Sequence, residues 1–196
     1  MEQIVPKLGV MIASVREGRG GEGVSDWFVE VARKHGGFDV SVLDLKQIGL
    51  PLLDEPAHPR LQKYQRETTK AWSATVAGLD AFVFVTPEYN FGSPPALINA
   101  LDHLYVEWNY KAAGFVSYGG VSGGLRSVQM TKQVVTTLKM VPIVEAVTFP
   151  FFTKLVDGAT GKFNGGDVGE KSAIAMLNEL VRWTEALKTL RASAQS

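Results

Sequence analysis

The chain contains no cysteine. Disulfides, thiolate nucleophiles and cysteine-based zinc or iron–sulfur centres are excluded together, so any redox chemistry must be carried by a bound cofactor. Only three histidines occur, His35, His58 and His103, too scattered for a metal cluster. Neither sign of charge dominates. Twenty basic against twenty acidic residues leave a formal charge of zero, and no global field draws the molecule to nucleic acid or an anionic membrane. Long hydrophobic runs are missing too: no stretch approaches the roughly 18 apolar residues of a membrane span. The opening segment MEQIVPKLGVMIAS has a short apolar run without a basic leader, which reads as a strand and not a signal peptide. A soluble cytoplasmic protein that recognises its partners locally is expected.

What is present suffices for one domain over residues 1–196, with 45% hydrophobic and 20% charged residues. Leu8–Ala13 is a continuous apolar run, as for a parallel strand covered on both faces. A glycine-rich loop follows, then Val24, Trp27, Phe28, Val31 and Ala32 at helical spacing, stopped by His35-Gly36-Gly37. Val40–Leu43 is a second strand; a proline-punctuated connection over 50–56 leads to a helix from about Leu61 to Ala77. Ala81–Thr86 is the third strand, and Pro94-Pro95 opens a helix carrying Leu97, Ile98, Leu101 and Leu104. The fourth strand is Ala113–Ser117, followed by a glycine loop and a helix carrying Val128, Thr131, Val135 and Leu138. Val144–Phe149 is the fifth strand, Phe151–Gly169 a long loop, and Glu170–Leu190 the last helix. Strands alternating with helices specify an α/β, doubly wound parallel sheet; five strands favour the flavodoxin-like order 2-1-3-4-5. Ligands then bind beyond the carboxyl ends of the strands, near the switch point between strands 1 and 3.

Three loops at that edge carry the chemistry. In the first, Gly18, Gly20 and Gly23 satisfy G-x-G-x-x-G, with Asp44 at the end of strand 2, as a dinucleotide fingerprint would. That fingerprint needs its first glycine at the strand end, whereas Ser14-Val15-Arg16-Glu17 intervene. A hydroxyl and two guanidinium groups ahead of a helix form a different anion site, one that grips a terminal monophosphate through Ser14, Arg16 and Arg19. An ordinary turn with solvated arginines is the competing reading. The second loop, Thr86–Pro94, has a shape fixed by proline and glycine and offers backbone groups to the polar edge of a planar ring, although Glu88 and Asn90 also suit a solvated turn. The third contains Gly120-Val121-Ser122-Gly123-Gly124, which matches the serine elbow of hydrolases. All three histidines lie upstream of Ser122, so the triad order Ser, acid, His fails. Trp108 and Tyr110, with Tyr105, suit a pocket wall, a subunit contact or core packing.

Taken together, the loops resemble the NADPH-dependent FMN reductase family, a flavodoxin-like group of quinone, azo-dye and chromate reductases. The family's phosphate segment G-S-x-R-x-x-R/S stands here as Ala13-Ser14-Val15-Arg16-Glu17-Gly18-Arg19, with alanine for the usual glycine. Its T-P-E-Y-N matches Thr86-Pro87-Glu88-Tyr89-Asn90 in full. P-G-x-L-K-N-A-I-D appears over 94–102 with departures at Pro95 and Ile98, and S-Y-G-G-x-x-G-G-x-R is intact over Ser117–Arg126. The resemblance implies FMN as cofactor and NADPH or NADH as electron donor, a small acceptor (quinone, azo compound, chromate or free flavin), and a homodimer or homotetramer. It implies no protein nucleophile and no metal. The residues it assigns to the flavin are Ser14, Arg16, Arg19, Gly20 and Gly21 at the phosphate, and Pro87, Glu88, Tyr89, Asn90, Ser117, Tyr118, Gly119 and Gly120 along the ring. Two rivals are a flavodoxin-type electron carrier without turnover, which the neutral charge disfavours, and a non-flavin NAD-binding protein built on Gly18–Gly23.

Overall fold

The computed structural model describes residues 5–194; the opening and closing residues of the expected 1–196 domain, including part of the N-terminal segment read as strand, lie outside them. Five strands form one parallel sheet in the order β2-β1-β3-β4-β5, as expected. They are β1 (Lys7–Ile12), β2 (Asp39–Asp44), β3 (Ala81–Pro87), β4 (Ala112–Tyr118) and β5 (Val141–Phe149). The helices are α1 (Gly21–His35), α2 (Leu45–Ile48), α3 (Glu67–Ala77), α4 (Pro95–Asp102), α5 (Leu125–Thr137) and α6 (Gly166–Ala194). The chain runs outward from β1 to β2, then returns to lay β3 on the other side of β1. That reversal opens the crevice at the carboxyl end of β1 and β3.

Burial explains why the central strands read as unbroken apolar runs. Every residue of β3 and β4 is buried, because helices cover both faces of the sheet. Along β3, Ala81, Val83 and Val85 pack under α1 and α6, while Phe82 and Phe84 pack against α3 and α4. Trp108, one of the three aromatics left open in the sequence, belongs to this second core: it is fully buried, meets Trp72 and Phe82 edge-on, and donates its indole N–H to the Leu101 carbonyl.

Boundaries moved where local hydrogen bonding overrides periodicity. The helix expected from Leu61 begins only at Glu67. Pro59–Leu61 is a single 3₁₀ turn ended by Gln62 at φ 51°, and the Glu55 carboxylate accepts the N–H groups of Gln65 and Arg66, fixing the later start. Strand β5 starts at Val141, ahead of the expected Val144, with Pro142 on the sheet edge where its missing N–H is harmless; a bulge opposite Ala113–Phe115 breaks the alternation. The long loop after β5 holds a 3₁₀ turn, Phe152–Leu155, and a bridge between Val156 and Phe163, and α6 begins at Gly166.

Candidate flavin site

The loops after β1, β3 and β4 converge on one cavity of about 320 Å³ at the carboxyl edge of the sheet. Ser14, Arg16, Arg19, Gly20, Pro87, Glu88, Tyr89, Tyr118, Gly119 and Gly120 all line it, so most of the expected site residues are gathered in one place. Three are set back. Gly21 lies behind the wall, where an added Cβ would sit 2.6 Å from the Tyr118 hydroxyl. Ser117 is buried in β4 and donates to Thr148. Asn90 stands at an exposed turn.

Loop 1 is held in shape by Arg19, which lines the cavity and directs its guanidinium donors to protein partners. Its Nη1 donates to the Ser14 carbonyl at 2.6 Å and to Asp44 Oδ1 at 2.7 Å; Nη2 donates to Asp44 Oδ2 and Glu22 Oε1, both at 2.6 Å, and Nε to Glu22 Oε1 at 3.2 Å. All five donors of a guanidinium are thereby used. The hydrogen bonds to Asp44 hold the Arg19 pKa above its ordinary value, so the group stays charged. Arg19 is the brace of the loop. The same pairing occupies Asp44, the acid that a dinucleotide fingerprint would have turned toward a ribose.

Arg16 is differently placed. It is exposed, makes no ion pair among the described residues, and has its guanidinium carbon 5.9 Å from the centroid of the Tyr89 ring. Ser14 Oγ and Tyr89 Oη are 2.5 Å apart, joining loop 1 to loop 2. Behind them is the N-terminus of α1, capped by Gly20 without a side-chain hydrogen bond, so the first-turn N–H groups keep their capacity for an anion. Burial, followed by the neighbouring Tyr89, pushes the Tyr118 phenol well above its ordinary pKa; it remains an O–H donor across physiological pH. A hydroxyl, a free guanidinium, a phenol and a helix N-terminus form a donor set suited to a monophosphate, and the FMN phosphate fits it.

Loops 2 and 3 are clamped together by Glu88. Its carboxylate accepts Ser122 Oγ at 2.8 Å and, from Arg126, the backbone N–H at 3.1 Å and Nε at 2.6 Å. Ser122 is thus a clamp residue with an acid partner and no histidine. Burial works to raise the Glu88 pKa, but the Ser122 and Arg126 hydrogen bonds outweigh it, leaving the value below the ordinary 4.5. A depressed folded-state pKa stabilises the fold above the unfolded value, and that contribution disappears as pH falls through the folded one. Thermal unfolding of Glu88→Gln should accordingly lose part of the wild-type acid sensitivity below about pH 4.5; an unchanged pH profile would remove Glu88 from the clamp. Just beyond, Tyr89 and Gly92 exchange both backbone hydrogen bonds at 2.9 Å. Asn90 and Phe91 take φ of 49° and 68° between them, and the Arg126 guanidinium lies 3.8 Å from the Phe91 ring centroid.

The fourth wall was missed in the sequence. Phe151, Phe152 and Thr153 line the cavity, as does Gly18. Phe151 N–H donates to the Gly120 carbonyl and Phe152 N–H to that of Gly119, so the segment after β5 extends loop 3. Phe152 packs edge-on to Tyr118 and against Gly20, where a Cβ would come within 2.3 Å of its ring. Two aromatics directly after a strand that ends at the same sheet edge were the available signal.

Comparisons with known proteins identify the family and the fold. The model of the NADPH-dependent FMN reductase family matches residues 6–154. An NAD(P)H-dependent FMN reductase of Schizosaccharomyces pombe is 44% identical over 160 residues, 80% of this chain and 79% of that one. Another NAD(P)H-dependent FMN reductase, from Nectria, is 31% identical over 168 residues, covering 80% of this chain and 84% of its own. Among solved structures, the flavoenzyme NAD(P)H:(acceptor) oxidoreductase FerB of Paracoccus denitrificans superposes with a TM-score of 0.72 at 20% identity, over 93% of this chain and 98% of that one; the likeness establishes the flavodoxin-like fold. The fold, the three loops and the match over residues 6–154 together place this chain in the NADPH-dependent FMN reductase family, as an NAD(P)H-driven FMN oxidoreductase.

Proposed function

We propose that the protein binds FMN with its phosphate on Ser14, Arg16, the Tyr118 hydroxyl and the N-terminus of α1, and its ring between Pro87–Tyr89 and Gly119–Gly120. The observation that carries this reading is the division of labour between two arginines: Arg19 spends every donor on the protein, while Arg16 spends none on an ion pair. When bound, FMN supplies the redox chemistry, taking an electron pair from NADPH or NADH for delivery to a small acceptor. The chain contributes position and exclusion of water. Phe152 and Tyr118 close one side of the cavity with apolar surface, and the Glu88–Ser122–Arg126 clamp fixes the spacing of the loops that flank the ring. Backbone N–H groups of the glycine loop suit negative charge on the ring's polar edge.

Quinones, azo compounds, chromate and free flavin are the acceptors to compare, each with both nicotinamide nucleotides. A single cavity that serves donor and acceptor in turn predicts parallel double-reciprocal plots when both concentrations are varied. Intersecting plots would require two simultaneous sites and contradict the shared cavity. We also infer a cytoplasmic homodimer or homotetramer. Exposed Phe91, Val121 and Leu125, contributed by the loops beside the cavity, support a subunit contact there. Sedimentation velocity of the FMN-loaded protein should show a species larger than the monomer; full activity in a strictly monomeric protein would overturn that assignment.

A further inference from the structure

A second cavity lies at the opposite end of the sheet. It measures about 280 Å³ and is lined in part by Asp80 and Lys111, which immediately precede β3 and β4, by Glu107, Asn109 and Tyr110, and by Arg191 of α6. At its wall is a buried amine that the flavin chemistry does not use. Lys111 is 4% exposed. Its Nζ donates to the carbonyls of Val76 and Ala77 at the end of α3, at 2.7 and 3.4 Å, and lies 5.8 Å from the Phe82 ring centroid. Among the described residues, no carboxylate comes within ion-pair distance of it. Both nearby acids are engaged elsewhere: Glu107 accepts from Gln62, Tyr64 and Ser73, and Asp80 accepts from Arg191 and the Lys7 N–H, with the Lys188 ammonium at 3.8 Å. Arg191, which also donates to the Tyr110 carbonyl, lines the same cavity and adds a like charge.

We propose that Lys111 is a covalent modification site, an amine that condenses with small aldehydes entering this cavity to form a Schiff base. The uncharged amine attacks the carbonyl carbon, a C–N bond forms, and the carbonyl oxygen leaves as water; nothing is oxidised or reduced. Uptake of one proton from solvent by the imine nitrogen gives the protonated imine, whose single N–H can again donate to the Val76 carbonyl. Reaction with carbon dioxide would instead put an anion against the carbonyl end of α3, where the helix dipole opposes it. Burial, followed by the Arg191 charge, outweighs the attraction of Asp80 and Glu107 and brings the lysine down to about 7, so near neutral pH about half of the amine has its lone pair free. An ordinary lysine, titrating near 10.4, has roughly four parts in ten thousand free at that pH.

The test treats the FMN-loaded protein with propionaldehyde and cyanoborohydride and maps N-propyl-lysine by peptide mass spectrometry. At pH 7 Lys111 should label at least about tenfold faster than any other lysine, with a rate that climbs through pH 7 and levels off above it. Lys111→Arg should stay folded and lose only that labelled peptide. Labelling of Lys111 no faster than surface lysines, or labelling confined to a urea-unfolded fraction, would overturn the assignment.

Discussion

Replacing Arg19 with alanine should cost about 3–5 kcal/mol of folding stability and strip the protein of most of its affinity for FMN, although Arg19 does not touch the phosphate in this account. The side chains of Arg19 and Asp44 are 3% and 7% exposed and joined by two hydrogen bonds of 2.7 and 2.6 Å. Truncating the cation leaves Asp44 buried with, among the described residues, the Lys46 N–H alone to satisfy it, and removes the Arg19 donor from the Ser14 carbonyl. Chemical denaturation and FMN titration report the two losses separately. The double variant Arg19→Met with Asp44→Leu sharpens the test, because replacing a buried pair by apolar side chains is often neutral for stability. It should recover most of the folding free energy while FMN affinity stays low, since loop 1 has still lost its brace. Recovery of both properties together would make Arg19 a stability element alone.

Gly124→Ala is the second change with a large expected effect, at about 2–5 kcal/mol. Gly124 holds φ at +87°, and an added Cβ would lie 2.9 Å from the Tyr118 carbonyl oxygen, 3.0 Å from Ser117 Cβ and 3.0 Å from the Tyr118 nitrogen. Left-handed backbone in a non-glycine residue costs roughly 1–2 kcal/mol, and crowding against a packed neighbour typically adds 1–3 kcal/mol. Two of the three neighbours are backbone atoms of β4, which cannot rotate away. Gly18→Ala supplies the comparison: φ is +63° but nothing lies within 4 Å, so only the conformational cost of about 1 kcal/mol remains. Equal losses in the two variants, measured by denaturant midpoint at constant slope, would show that crowding at the β4–α5 junction is unimportant.

Strand order, and with it the convergence of the loops after β1, β3 and β4, was legible in the sequence because burial on both faces makes these strands read as apolar runs, and the βα alternation leaves few topologies. Pairwise side-chain commitments were not legible. Arg16 and Arg19 look equivalent in Ser14-Val15-Arg16-Glu17-Gly18-Arg19, and only the three-dimensional arrival of Asp44 distinguishes them. The start of α3 depended on Glu55 reaching across a loop, and β5 was obscured by a bulge and an edge proline. Phe151 and Phe152 were missed because they join the site by backbone pairing with Gly119 and Gly120, a register that no local pattern announces. Lys111 occupies an unremarkable position between Tyr110 and a strand; its burial against the end of α3 gives it its chemistry.

The most direct measurement of the phosphate assignment compares FMN with riboflavin, which lacks only the phosphate, in the wild type and in Arg16→Ala. The wild type should prefer FMN strongly, and the variant should lose about 1.5–3 kcal/mol of FMN affinity, roughly ten- to hundredfold, while its affinity for riboflavin is unchanged. An equal loss for both flavins, or undiminished preference for FMN, would place the phosphate somewhere other than beside Arg16.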